Sequence, residues 1–171
     1  MLGFMKVFAR DYEEARVHIE KALAINPNNS EGRIYYAVYL TATGQSDAAI
    51  EQLDVGKRLN PFDFAWGPWV RGGACFTAGR YDEAIEVLNQ IPEPINEIRG
   101  WLVASYAHAG RLTEAKATLA EFLRIAKEDM AVYPGDRLKD WEPYWHGAMQ
   151  YRDQRDFDHL FDALRKAGFS D

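Results

Sequence analysis

The sequence has few of the residues that make disulfides, metal sites or membrane spans. One cysteine, Cys75, stands among 171 residues, which excludes an internal disulfide and a cysteine-rich metal site. Cys75 follows Ala74 in an apolar segment, and we interpret it as a small core residue. No stretch approaches the roughly 18 apolar residues of a membrane span, and residues 1–6 lack the pattern of a signal peptide. We therefore expect a soluble, cytoplasmic chain without a membrane partner.

A basic surface is also missing. Lysine and arginine number 20 against 26 aspartates and glutamates, for a net charge of -6. A protein that binds duplex nucleic acid needs a basic face to displace counterions, so no nucleic-acid partner is expected. The hydrophobic fraction of 47% over this length is enough to bury a core in one or two domains.

The sequence contains none of the patterns that indicate catalysis or metal binding. The four histidines form no pair spaced four apart, and neither His-Glu-x-x-His nor Cys-x-x-Cys occurs. Gly72-Gly73 lacks the lysine and the spacing of a phosphate loop. The aspartates within 153–162 follow no calcium-loop pattern, so we interpret them as a helix cap and a solvated face. The prediction is a protein that is not an enzyme and holds no metal or cofactor.

What the sequence does contain is a recurring motif. Residues 79–85 read Gly-Arg-Tyr-Asp-Glu-Ala-Ile, and related segments begin at Arg10, Gly44 and Gly110. The alanines of the four copies are separated by 34, 35 and 31 residues: Ala15, Ala49, Ala84 and Ala115. The pairs Asn26-Pro27 and Asn60-Pro61 repeat the interval of 34. A period near 34 residues is typical of helix-turn-helix repeats.

Apolar periodicity predicts the helices of these repeats. Residues 34–43, 69–78 and 98–109 are the predicted first helices of repeats two to four, and a glycine follows each. Glycine tolerates the left-handed conformation that often follows a helix. Repeat three carries an extra residue within 62–69, where Gly67-Pro68 predicts either a kink or the start of a helix.

On these residues the chain resembles the tetratricopeptide repeat (TPR) family. The shared features are the small pair Leu2-Gly3, the turn with tyrosine and Glu-Ala, an alanine seven residues on, and the closing Asn-Pro. The resemblance implies an all-α fold, a right-handed α-solenoid of helical hairpins with a C-terminal capping helix. Residues 1–127 are then an array of about four repeats, the first truncated. Residues 128–171 are expected to form an aromatic segment and a capping helix packed on the array.

The last helix is marked at both ends. Asp153 is a candidate N-cap and Gly168 a candidate C-cap. The apolar stripe between them contains Phe157, Leu160, Phe161 and Leu164. We expect this stripe to cover the exposed flank of repeat four. Residues 141–146 are interpreted as a short helix followed by a loop; as an alternative, residues 141–145 fold back and fill the groove.

In TPR arrays the first helix of each repeat lines a concave side that binds peptides. By that resemblance, the predicted ligand-binding set is apolar and aromatic: Ile34, Val38, Thr41, Trp66, Trp69, Gly73, Phe76, Glu97, Ala104 and His108. The set lacks the Lys/Asn pattern with which chaperone-binding TPRs hold a terminal carboxylate. Trp66 and Trp69 are the expected anchors, whereas the competing interpretation assigns each of these side chains to the core. The leading hypothesis is a non-catalytic scaffold that binds a protein or peptide segment.

A narrower resemblance concerns the C-terminus. Residues 158–169 resemble the ending of TPR regions appended to bacterial class III adenylate/guanylate cyclases and related regulators. That resemblance implies a regulatory appendage without cyclase activity. Because the first predicted repeat is short, we expect a fragment, a short paralogue, or a repeat completed by another chain. The alternative function is therefore a regulatory or oligomerisation module that self-associates.

Overall fold

The structure is a computed structural model that describes residues 1–62, 66–128 and 133–171. These residues contain ten α-helices and no strand. The helices are α1 Leu2–Phe8, α2 Tyr12–Ile25, α3 Ser30–Ala42, α4 Ser46–Leu59, α5 Gly67–Thr77, α6 Tyr81–Leu88, α7 Asn96–His108, α8 Leu112–Glu128, α9 Leu138–Ala148 and α10 Gln154–Lys166. Helices α1 to α8 form four hairpins, each packed on the next, with α1, α3, α5 and α7 as neighbours on one side. The predicted all-α solenoid of helical hairpins with a capping helix is confirmed.

Left-handed residues end the first helix of each repeat. Gly44, Gly79 and Gly110 have φ of 77°, 75° and 76°, as their positions predicted. Arg10 holds the same place in repeat one, with φ of 58°. This conformation costs a residue other than glycine about 1–2 kcal/mol. Repeat one therefore keeps a charged side chain where the other repeats have glycine.

Helix α5 begins at Gly67 with Pro68 in its first turn. Of the two alternatives predicted for Gly67-Pro68, the structure therefore shows the helix start and not the kink. Asp63, Phe64 and Ala65, which belong to the predicted irregular segment, lie outside the described residues. The glycines of α5 permit close helix contacts, since a Cβ on Gly73 would lie 2.8 Å from the Trp101 ring.

Helix α9 runs unbroken through Pro143, so the predicted short helix and loop at 141–146 is wrong. Trp141 and Trp145 stand four residues apart on one helix face, and both are fully buried. The Trp141 ring lies 4.8 Å from that of Phe122 in α8, and Trp145 packs against Gly100 of α7. Burying two indoles outweighs the cost of about 3 kcal/mol that proline imposes inside a helix.

Helix α10 packs mainly on α7. The Asp153 side chain accepts a hydrogen bond from the Arg155 amide at 3.0 Å, which confirms the predicted N-cap. All four residues of the predicted stripe are buried. Repeat four is thus covered by α9 on the α8 side and by α10 on the α7 side. A domain division at residues 127/128 stays a prediction, because residues 129–132 lie outside the described residues.

Candidate functional site

The segment between α9 and α10 crosses the concave side of the array. This crossing segment, residues 149–153, bonds to several repeats. The Arg152 amide donates to the Ala42 carbonyl of α3 at 2.8 Å, and the Tyr12 hydroxyl donates to the Gln150 carbonyl at 3.1 Å. The Trp101 indole N–H donates to the Tyr151 hydroxyl at 2.9 Å. The chain therefore spans the inner surface from repeat four back to repeat one.

Arg10 fastens the crossing segment to repeat one. Its guanidinium donates hydrogen bonds to the carbonyl oxygens of Tyr151 at 3.0 Å, Met149 at 3.3 Å and His146. His146 lies in the last turn of α9, where a cation also complements the helix dipole. These bonds offset the backbone cost at Arg10.

The concave surface beside the crossing segment encloses a pocket of about 310 Å³. Its aromatic walls are Phe4, Phe8, Trp66, Trp69, Trp101 and Tyr151. The aliphatic side chains that complete it include Val38, Val70, Ile95, Ile98 and Met149. Thr41, Glu97 and Gln150 are the polar ones among the described lining residues. Helices α1, α3, α5 and α7 all contribute, so the pocket forms only when the four repeats stack.

Six of the ten residues of the predicted ligand-binding set line this pocket: Val38, Thr41, Trp66, Trp69, Gly73 and Glu97. Ile34, Phe76 and Ala104 do not line it and are buried in the core, with at most 2% of their surface exposed. His108 also does not line it, because α10 covers it. That the set binds a ligand stays a prediction.

Four aromatic residues of the pocket were missed. Phe4 lies six residues before Arg10, the left-handed residue of its repeat. Val38 and Gly73 lie at the same distance before Gly44 and Gly79, so the repeat spacing could have identified Phe4 as a pocket residue. Trp101 stands nine residues before Gly110, as Val70 does before Gly79. Phe8 lies in the last turn of α1. Tyr151 has no repeat equivalent, and only the path of the crossing segment places it here.

A second cluster joins α10 to repeats three and four. The rings of His108 and His159 stack at 4.1 Å and 9°, and the Tyr81 hydroxyl lies 3.2 Å from Nε2 of His159. Nε2 of His108 donates to the His159 carbonyl at 3.1 Å. Burial lowers the pKa of both imidazoles, that of His159 to about 4, and the neighbouring His108 contributes to this shift. At neutral pH the pair is therefore uncharged and serves as a packing contact.

The described part of the chain contains neither a metal-binding cluster nor a membrane-spanning helix. No group of three or more His, Cys, Asp or Glu side chains there is arranged to hold a metal ion. No helix of the described ranges is both long enough and apolar enough to cross a membrane.

Residues 9–67 match the tetratricopeptide repeat family. The matched range contains the two copies that close with Asn-Pro. A curated relative is the small glutamine-rich tetratricopeptide repeat-containing protein 2 of Mycosarcoma maydis, 33% identical over 99 residues. The alignment covers 56% of this chain and 28% of the relative, so the chain spans less than a third of that protein.

Tetratricopeptide repeats imply a protein–protein interaction module. The narrower resemblance to cyclase-associated regulators stays a prediction.

Proposed function

We propose that the TPR array captures a protein segment in the aromatic pocket. The observation that supports this most directly is the concave opening of about 310 Å³ walled by Trp66, Trp69 and Trp101. Its volume lies at the lower end of the roughly 300–1,000 Å³ of ligand pockets. Aromatic side chains seated in such pockets contribute most to interface free energies. A partner therefore inserts one or two side chains here.

The crossing segment limits the length of the partner. It lies on the concave side from Trp101 to Tyr12, bonded at both ends. A long peptide laid along the whole concave side would displace it and break the bonds of Arg10. A short segment that anchors in the pocket leaves those bonds intact.

The test begins with peptides selected by phage display against the full chain. Their affinities are then compared for wild type, Trp66→Ala and Trp69→Ala by isothermal calorimetry. Either variant should weaken binding at least tenfold, which is about 1.4 kcal/mol, while circular dichroism shows unchanged helicity. Phe62→Ala is the control, since Phe62 is 99% exposed and does not line the pocket. If both tryptophan variants bind as tightly as wild type, the proposal is wrong.

A second candidate function is supported by the exposed apolar face of α1. Met1, Leu2, Met5 and Phe8 are each more than half exposed. We propose as the alternative a regulatory or oligomerisation module in which this face pairs with another chain. Sedimentation should then show a concentration-dependent dimer that Met5→Glu abolishes. A wild-type monomer at all concentrations would contradict it.

A further inference from the structure

The pocket carries charge of one sign. Among the described lining residues Glu97 is the charged one, and no lysine, arginine or histidine joins it. Within the described ranges, the ion pairs of the protein do not include Glu97. The Glu97 carboxylate accepts a hydrogen bond from the Tyr144 hydroxyl, and burial together with this carboxylate raises the pKa of Tyr144. The result is an aromatic pocket whose one carboxylate is hydrogen-bonded to Tyr144 but has no ion-pair partner among the described residues.

Thr41 adds an unused hydrogen-bonding group to the wall. It is 8% exposed, and its hydroxyl oxygen has no hydrogen-bond partner among residues 1–62, 66–128 and 133–171. Two other threonines of the array are satisfied: Thr43, which follows α3, donates to the Tyr39 carbonyl at 2.9 Å, and Thr77 in α5 donates to the Gly73 carbonyl at 2.8 Å. Buried polar groups almost always have a partner, and the exceptions call for an explanation. A ligand group that hydrogen-bonds to the Thr41 hydroxyl explains this exception.

Aromatic faces attract cations, and tryptophan does so most strongly. A neutral apolar side chain fits the walls, but it desolvates Glu97 without a counter-charge and leaves the Thr41 hydroxyl unpaired. A basic side chain satisfies both groups, since its N–H donors reach an acceptor while its methylene stem lies against the rings. The net charge of -6 also favours a basic partner during approach.

We propose that the pocket receives a lysine or arginine side chain from the captured segment. The inference rests on the proposed function and specifies the chemistry of the partner. The stem lies between the aromatic rings, the charge faces Glu97, and one N–H donates to the Thr41 hydroxyl oxygen.

The direct test uses two small probes of matched shape, N-butylguanidinium and its neutral analogue N-butylurea. Both are titrated into the full chain while indole N–H signals are followed by NMR. Signals of Trp66, Trp69 and Trp101 should shift, whereas those of the buried Trp141 and Trp145 should not. N-butylguanidinium should bind at least fivefold more tightly than N-butylurea.

Variants then assign the preference to individual groups. Glu97→Gln should reduce the preference for the cation to less than twofold, and Thr41→Val should weaken N-butylguanidinium binding at least twofold. Glu86→Gln is the matched control, because Glu86 is exposed and lies outside the pocket. Equal binding of the two probes, no binding of N-butylguanidinium, or a preference that survives Glu97→Gln would overturn the inference.

The phage-selected peptides separate failure of this inference from failure of the proposed function. Replacing their basic residue with norleucine should weaken binding at least fivefold. Peptides that lack a basic residue but still require Trp66 and Trp69 would overturn the cationic assignment and leave segment capture standing. Peptides whose affinity is unchanged by Trp66→Ala and by Trp69→Ala would overturn both the cationic assignment and the proposed function.

Discussion

The Arg10 guanidinium donates a hydrogen bond to the Tyr151 carbonyl oxygen at 3.0 Å, which joins the first turn of the array to a residue 141 positions later. Repeats of a solenoid ordinarily contact only their neighbours, so such arrays can lose terminal repeats independently. Here the crossing segment ties repeat one to the C-terminal helices. Loosening either end should therefore weaken the other.

Replacing Arg10 tests this connection. Arg10→Ala removes bonds to three carbonyls while keeping the left-handed backbone, so the free energy of unfolding should fall by about 1–3 kcal/mol. Arg10→Gly removes the same bonds but relieves a backbone cost of about 1–2 kcal/mol. The glycine variant should thus be more stable than the alanine variant in urea denaturation by about 1–2 kcal/mol. An alanine variant as stable as wild type would show that the guanidinium bonds contribute nothing.

Because α5 and α7 approach closely at Gly73, an alanine there should destabilise the fold, whereas an alanine at Gly147 should not. Gly73→Ala would place a methyl group 2.8 Å from the Trp101 ring, so the indole must move. We expect a loss of about 1–3 kcal/mol in the free energy of unfolding and a shifted tryptophan emission spectrum. Gly147→Ala is the control, because nothing lies within 4 Å of its added methyl group and alanine favours the helix. Equal losses in the two variants would contradict this account.

The stacked histidines predict a pH dependence of stability. Burial lowers the pKa of His159 from 6.5 to about 4 and lowers that of His108 as well. Between pH 6.5 and 4 the unfolded chain binds protons that the folded chain does not. The stabilisation is therefore complete above pH 6.5 and is lost as the pH falls toward 4.

The size of this loss is limited by solvent. His159 is half-buried, so we expect on the order of 1–2 kcal/mol after allowance for screening. Asp162 opposes the shift, while Lys166 and His108 add to it. The free energy of unfolding, measured by urea denaturation at pH 7, 6 and 5, should decrease as the pH falls in wild type. The slope of this decrease should be smaller in His159→Phe. Identical slopes would show that other groups cause the dependence.

Cys75 should be unreactive in the folded protein. It is fully buried in α5, and burial raises the pKa of its thiol to about 11. The thiolate is the reactive species, so a thiol reagent at pH 8 should label the native chain only as fast as it opens. Labelling should become complete within minutes in concentrated urea. Fast labelling in buffer alone would contradict the burial of this residue.

Neighbouring repeats are built from local features, and for that reason they could be read from the sequence. The 34-residue interval predicted the hairpins, and Gly44, Gly79 and Gly110 predicted their left-handed turns. The stripe from Phe157 to Leu164 likewise predicted the last helix. Each of these signals acts within one helix or across one turn.

Other features depend on energies that no local pattern contains. The sequence predicted a short helix and a loop at residues 141–146, but the joint burial of Trp141 and Trp145 keeps α9 continuous. The TPR resemblance implied that Phe76 and Trp69 both face the concave side. In the structure Phe76 is buried in the core, whereas Trp69 lines the pocket.

The sequence by itself therefore determined the stacked hairpins, because helix caps, turns and small contact residues act between neighbours. Only the tertiary structure decided where the C-terminal segment lies, and with it the size and walls of the pocket. That placement rests on bonds from Arg10 and Tyr12 to backbone carbonyls more than 130 residues away. Backbone carbonyls are present at every position, so the sequence carries no mark of which ones a distant side chain will bind.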